Sequence, residues 1–131
     1  PHRDEWSDTV AFVARGPSAR SGRGPTHRLL YLPDIDGWDK WERPVRDAVS
    51  GVDVALLDGS FFSADELPGR DLSKIGHPLV KDTAARLAGL AADVYFIHLN
   101  HSNPLHRHGP EHEWLKSQGF KVGEAGDTWE L

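Results

Sequence analysis

The sequence predicts an α/β fold. Two observations carry this: the apolar runs inside "DVALLD" and "DVYFIH" suit strands buried on both faces of a sheet, and segments of helical periodicity lie between and after them. Strand, helix, strand and helix in alternation, without an internal repeat or a low-complexity segment, argue for a single layered domain over residues 1–131.

Each element has its own signal. Residues 8–15, "DTVAFVAR", and 28–33, "RLLYLP", read as the two strands of a hairpin, joined by the Gly-, Ser-, Arg- and Pro-rich "GPSARSGRGPTH". Over 40–50, Trp41, Val45, Ala48 and Val49 fall at near-helical spacing, with Pro44 tolerable only in a first turn. "DVALLD" (53–58) ends in an acid, and the loop "GSFFSADELPGRDLSKIGHP" follows. Val80, Thr83, Ala84, Leu87 and Leu90 share one stripe, which predicts a helix within 79–91. After "DVYFIH", Pro110 and Gly119 bracket a helix at 110–118, and the ending "KVGEAGDTWEL" reads as two short strands.

Composition removes several function classes. Fifteen Lys and Arg against 20 Asp and Glu give a formal net charge of −5 with no basic block, which argues against nucleic acid as a partner. There is no cysteine, so a transition metal would have to be held by imidazole and carboxylate, and eight histidines supply the imidazole. No apolar stretch approaches the roughly 20 residues of a membrane span, and the start, "PHRDEWSD", has no signal-like apolar core. A cytoplasmic protein is the default expectation. The lack of methionine, with proline at position 1, fits either a removed initiator or a chain cut from something longer.

Chemistry-bearing residues collect where apolar runs end: Asp34 after "YLP", Asp58 after "VALL", His98 after "VYFI". In α/β sheets such strand ends are where ligands gather. For Asp34 a ligand role stands beside helix capping, with Asp36 on the same side if the chain stays extended. For His98 a metal ligand stands beside a satisfied histidine. His77, in "GHP" ahead of a helix, suits a general acid or anion clamp as well as an exposed loop position. "HRHGPEH" (106–112) holds three imidazoles, but its polar loop setting and spacing favour a solvated face over a zinc site.

Taken in order, "PHRDEWSDT", "LLYLPDID", "LLDGSF", "GHP" and "FIHLNHSNP" resemble the C-terminal half of a metallo-β-lactamase-fold hydrolase, closest to the coenzyme PQQ synthesis protein B-like branch. The resemblance runs from His2 to Leu131. It implies half of an αββα sandwich, a mixed sheet with helices on one face. It implies metal ligation by His2, Asp34 and His98, with His77 acting on the scissile group, Asp58 orienting His77, and Asp36 and His101 as auxiliary groups. The family's His-x-His-x-Asp-His signature is missing.

The implied activity is ester hydrolysis by a metal-bound hydroxide, phosphoesters ahead of lactones, with Zn2+ as cofactor, Mn2+ or Fe as substitutes, and one ion ranked before two. A small-molecule ester would be the substrate. Two other readings stay open: an inactive fragment or partner-binding module, and an enzyme of redox-cofactor biosynthesis like the nearest branch. A half-sandwich also predicts a bare apolar sheet face, covered by a second copy in a homodimer or by the absent N-terminal half.

Overall fold

A computed structural model describes residues 9–17 and 26–131. Strands β1 (Phe12–Arg15), β2 (Arg28–Leu32), β3 (Val54–Asp58), β4 (Asp93–Ile97) and β5 (Lys121–Val122) form one sheet in sequential order. β1 pairs antiparallel with β2, and every later pair is parallel. The sheet is thus mixed, and its parallel part requires crossovers. Helix α1 (Val45–Ser50) carries the chain from β2 to β3, α2 (Val80–Leu87) from β3 to β4, and α3 (Pro110–Ser117) from β4 to β5.

All three helices bury their apolar stripes against one face of the sheet. Leu30 and Leu32, Ala55 and Leu57, and Val94 and Phe96 alternate inward along β2, β3 and β4. They meet Val45, Ala48 and Val49 of α1, Val80, Ala84 and Leu87 of α2, and Leu115 of α3. Trp38, in a 3-10 turn at Trp38–Lys40, is buried and donates its indole N–H to Thr83 Oγ1 at 2.8 Å, which ties the approach to α1 onto α2.

Several boundaries differ from those the sequence predicts. α1 starts only at Val45, because the pyrrolidine of Pro44 closes off a helix reaching back to 40. α2 stops at Leu87, where Ala88 turns extended and Gly89 takes φ 78°. The long loop after β3 holds two 3-10 turns, Ala64–Glu66 and Leu72–Lys74, the first closed by a reciprocal cap between Ser63 and Glu66. Of the two terminal strands expected, β5 alone is found. Gly123 makes one further bond to Phe96 O, then a turn in which Glu124 N–H donates to Asp127 Oδ2 and Gly126 adopts φ 101° diverts the chain.

That diverted tail changes the expectation of a bare second face. Trp129 packs edge-on against Tyr95, with ring centroids 5.4 Å apart, and the backbone of Leu131 lies against Gly16 beyond β1. Leu29 and Leu56 on that face are buried. Exposed apolar surface is concentrated at the β1 side, where Phe12 is 61% and its cross-strand partner Tyr31 40% accessible, flanked by Val10 and Val13.

Candidate metal centre

The parallel register sets the site. Leu32 aligns with Leu57 and Leu57 with Phe96, so β2, β3 and β4 end side by side and release their next residues at one edge of the sheet. Asp34, Asp58 and His98 leave from those ends, and His77 comes from the turn before α2, where Phe61 and Leu79 form a short bridge. The four side chains converge: each offers a donor atom, and all four atoms lie within 4.8 Å of one another.

Asp58 anchors the group. Its carboxylate is fully buried, and its cost is offset by three donors: Ser60 N–H to Oδ1 at 2.8 Å, and Ile35 N–H at 3.1 Å and His77 Nδ1–H at 2.8 Å to Oδ2. His77 Nδ1 also lies 3.5 Å from Asp34 Oδ1. Burial disfavours the His77 imidazolium, but the hydrogen bond it donates to Asp58 and the charges of Asp58, Asp34 and Asp36 outweigh it, so its pKa is raised above the ordinary value.

His98 has φ 59°, the one non-glycine residue in the left-handed region among the described residues. A residue there is strained, and such conformations gather at functional sites. The bend sets the His98 ring 5.7 Å from that of His77. The loop behind it is clasped to the β3 turn by Asn103, which is 2% exposed: Nδ2 donates to Gly59 O at 2.7 Å and Ser60 O at 3.3 Å, while Oδ1 accepts from Leu105 N–H at 2.9 Å. Gly59 is required by this closeness, since a Cβ would stand 2.9 Å from both Leu99 Cδ2 and Phe96 Cβ.

Of the residues singled out in the sequence, Asp34, Asp58, His77 and His98 are thus brought together. His2 lies outside the described residues. Asp36 stands near enough for its charge to act on His77 and is engaged by Lys40, while His101 is exposed and does not join the cluster. His108 and His112 pack edge to face at 4.9 Å away from the cluster, and His106 donates from Nε2 to Asn100 O at 3.1 Å. Ser60 is the residue that sequence reasoning missed. It falls inside "LLDGSF" without being singled out there, yet its hydroxyl lies 3.1 Å from Nδ1 of both His77 and His98.

No family model matches the chain. Among curated proteins it is 31% identical over 109 residues to "Coenzyme PQQ synthesis protein B" of Rhizobium meliloti (strain 1021), covering 76% of this chain and 35% of that protein. It is 35% identical over 80 residues to the protein of the same name from Ruegeria pomeroyi, covering 54% of this chain and 27% of that one. Among solved structures, the Zn(2+)-bound PqqB from Methylobacterium extorquens aligns with a TM-score of 0.65 and 23% identity over 80% of this chain and 40% of that chain. The chain matches the C-terminal part of a metallo-β-lactamase-fold protein. It spans about a third of the length of the curated relatives. In this metallo-β-lactamase fold the cluster lies at the carboxyl edge of the parallel strands, where α/β sheets place their ligands. Among the described residues no helix is long and apolar enough to cross a membrane.

Proposed function

We propose that this chain carries a metal site of a hydrolase that cleaves ester bonds, with phosphoesters as the leading substrate class. The observation that supports this most is the convergence of Asp34, Asp58, His77 and His98 on one point. Two imidazoles and two carboxylates, with no cysteine in the chain, make an N/O donor set that suits zinc and also accepts manganese or iron. The PqqB neighbour was solved with Zn(2+) bound, in keeping with that choice.

In this reading Asp34, His77 and His98 hold the ion, the protein-ligand count of catalytic zinc sites that keep a position open. Asp58 is already engaged by three donors and serves to hold the His77 ring. His77 therefore takes a different part from the phosphate-contacting one the sequence suggests, because its ring lies inside the donor cluster. When bound, an ion of this class polarises an ester oxygen and lowers the pKa of a water to about 7. The chain keeps its donors in place through the buried Asp58 network and the strained turn at His98, so that little reorganisation is needed on binding.

Dialysis against chelator should abolish hydrolysis of an activated aryl phosphoester, and Zn2+ or Mn2+ should restore it; His98→Ala should resist rescue. Activity that survives the chelator overturns the mechanism. The names of the relatives favour a second reading within the same fold, a role in coenzyme PQQ synthesis. For Phe12 and Tyr31 we propose cover from a second copy of the chain; a monomeric mass by light scattering at micromolar concentration would refute that part.

A further inference from the structure

We infer that the corner between Phe62 and Trp114 is a binding site for a compact quaternary-ammonium ligand, and that Lys81 occupies its cation position in the free chain. The site shares no residue with the metal cluster. It is a cavity of about 400 Å3 bounded by the turn after β3, the first turns of α2 and α3, and the loop after β4.

Local bonds set the aromatic wall. The Glu66 carboxylate, part of the reciprocal cap with Ser63, also accepts the Phe62 N–H, which holds Phe62 at the start of that turn with 4% of its surface exposed. Trp114 of α3 meets the Phe62 ring edge to face, with centroids 5.5 Å apart and planes at 85°. Lys81 is brought to this corner by its own N–H, which donates to Phe62 O at 3.2 Å. Its Nζ stands 5.3 Å from the Phe62 centroid and 5.8 Å from that of Trp114, within cation–π range of both.

The charges select the ligand. Asp65, Glu66 and Glu111 line the same cavity, three carboxylates against the single ammonium of Lys81. Asp65 and Glu66 accept from neutral groups, the Ser63 and Ser102 hydroxyls and the amides of Phe62 and Ser63, so their charge is not cancelled there. Among the described residues none of the three forms an ion pair with Lys81. The cation in the cavity has settled on the ring faces beneath an acidic rim, which marks those faces as the place a ligand cation takes. The lysine ammonium is a strongly hydrated point charge on a flexible stem, whereas quaternary ammonium groups are those that aromatic cages recognise. Lys81 is exposed, so its stem can swing into water and yield the rings without disturbing α2.

The test titrates the chain with choline and with its uncharged analogue, in which carbon replaces the nitrogen. Choline should shift the Trp114 indole N–H signal in proton–nitrogen NMR, and the uncharged analogue should bind more weakly by about threefold or more. Affinities of variants are read from the choline methyl signal. Lys81→Ala, at an exposed position, removes the resident cation and its repulsion and should tighten choline binding about threefold. Trp114→Leu keeps apolar bulk but removes the π face, and should weaken binding about 3- to 30-fold. No shift at Trp114, equal binding of the uncharged analogue, or a Lys81→Ala chain that binds choline no better than the wild type overturns the inference. Those three measurements decide it even if Trp114→Leu fails to fold.

Discussion

Replacing Asn103 by alanine deletes two hydrogen bonds that join the loop carrying His98 to the turn carrying Asp58 and Ser60, and a third, from Leu105 N–H, that shapes the loop itself. Ser60 O keeps its bond from Asn100 N–H, so the groups that lose the partner described above are the Gly59 carbonyl and the Leu105 amide. At a net value of about 0.5–1.5 kcal/mol each, with an added penalty for buried groups left unmade, the loss comes to about 2–4 kcal/mol. That is a large share of a typical 5–15 kcal/mol total, roughly speaking. In urea, with a slope of about 2 kcal/mol per molar, the unfolding midpoint should fall by about 1–2 M. Asn103→Asp supplies the control: it keeps an acceptor for Leu105 but turns a carboxylate oxygen toward the Gly59 and Ser60 carbonyls, so it should destabilise more than alanine. A midpoint unchanged by alanine, or an aspartate variant as stable as the wild type, would refute the claim that this amide clasps the site.

Other outcomes follow from the same geometry. Gly59→Ala should cost about 1–3 kcal/mol, because its Cβ meets Phe96 and Leu99 inside contact distance; calorimetry should show a drop of roughly 5–10 °C. Trp38→Phe and Thr83→Val each remove the buried indole–hydroxyl bond, so a double-mutant cycle should return a coupling of about 1 kcal/mol, and strict additivity would count against it. Asp39 is held below the ordinary carboxylate pKa by its hydrogen bonds from Arg86 and then by the Arg86 charge. A depressed folded pKa contributes stability above the unfolded value and loses it as pH falls through the folded one. Carboxyl-carbon NMR should therefore place the Asp39 midpoint below 3.8, and Asp39→Asn should flatten the acid limb of the stability profile; a midpoint at or above 3.8 contradicts the pairing.

Much of this arrangement is legible in the sequence because its signals are local. "VALL" and "VYFI" are long enough to declare buried strands, and the residues that end them, Asp58 and His98, do reach a common edge. The gap between 58 and 98 says nothing of register, however, and it is the pairing of Asp58 with Ile97 that brings His98 alongside. The tail misleads for a related reason. "TWEL" has strand-like residues, but Gly126 and the Asp127 turn withdraw it from the ladder and send Trp129 onto Tyr95. Ser60 lies inside "LLDGSF", but that motif does not single it out, since its contacts are with two rings that are 17 and 38 residues away.

Asp34, the Asp58–His77 pair and His98 are delivered by three separate connections, so these three parts of the site cannot meet before the parallel strands have paired. Parallel pairing spends loop-closure entropy before it returns contacts, which makes it a slow part of folding. Asp34, Asp58, His77 and His98 are scattered over 65 positions of chain. A cation held by Asp34, His77 and His98 would therefore recognise only the finished sheet, and its capture during refolding should trail the appearance of helical signal rather than guide it.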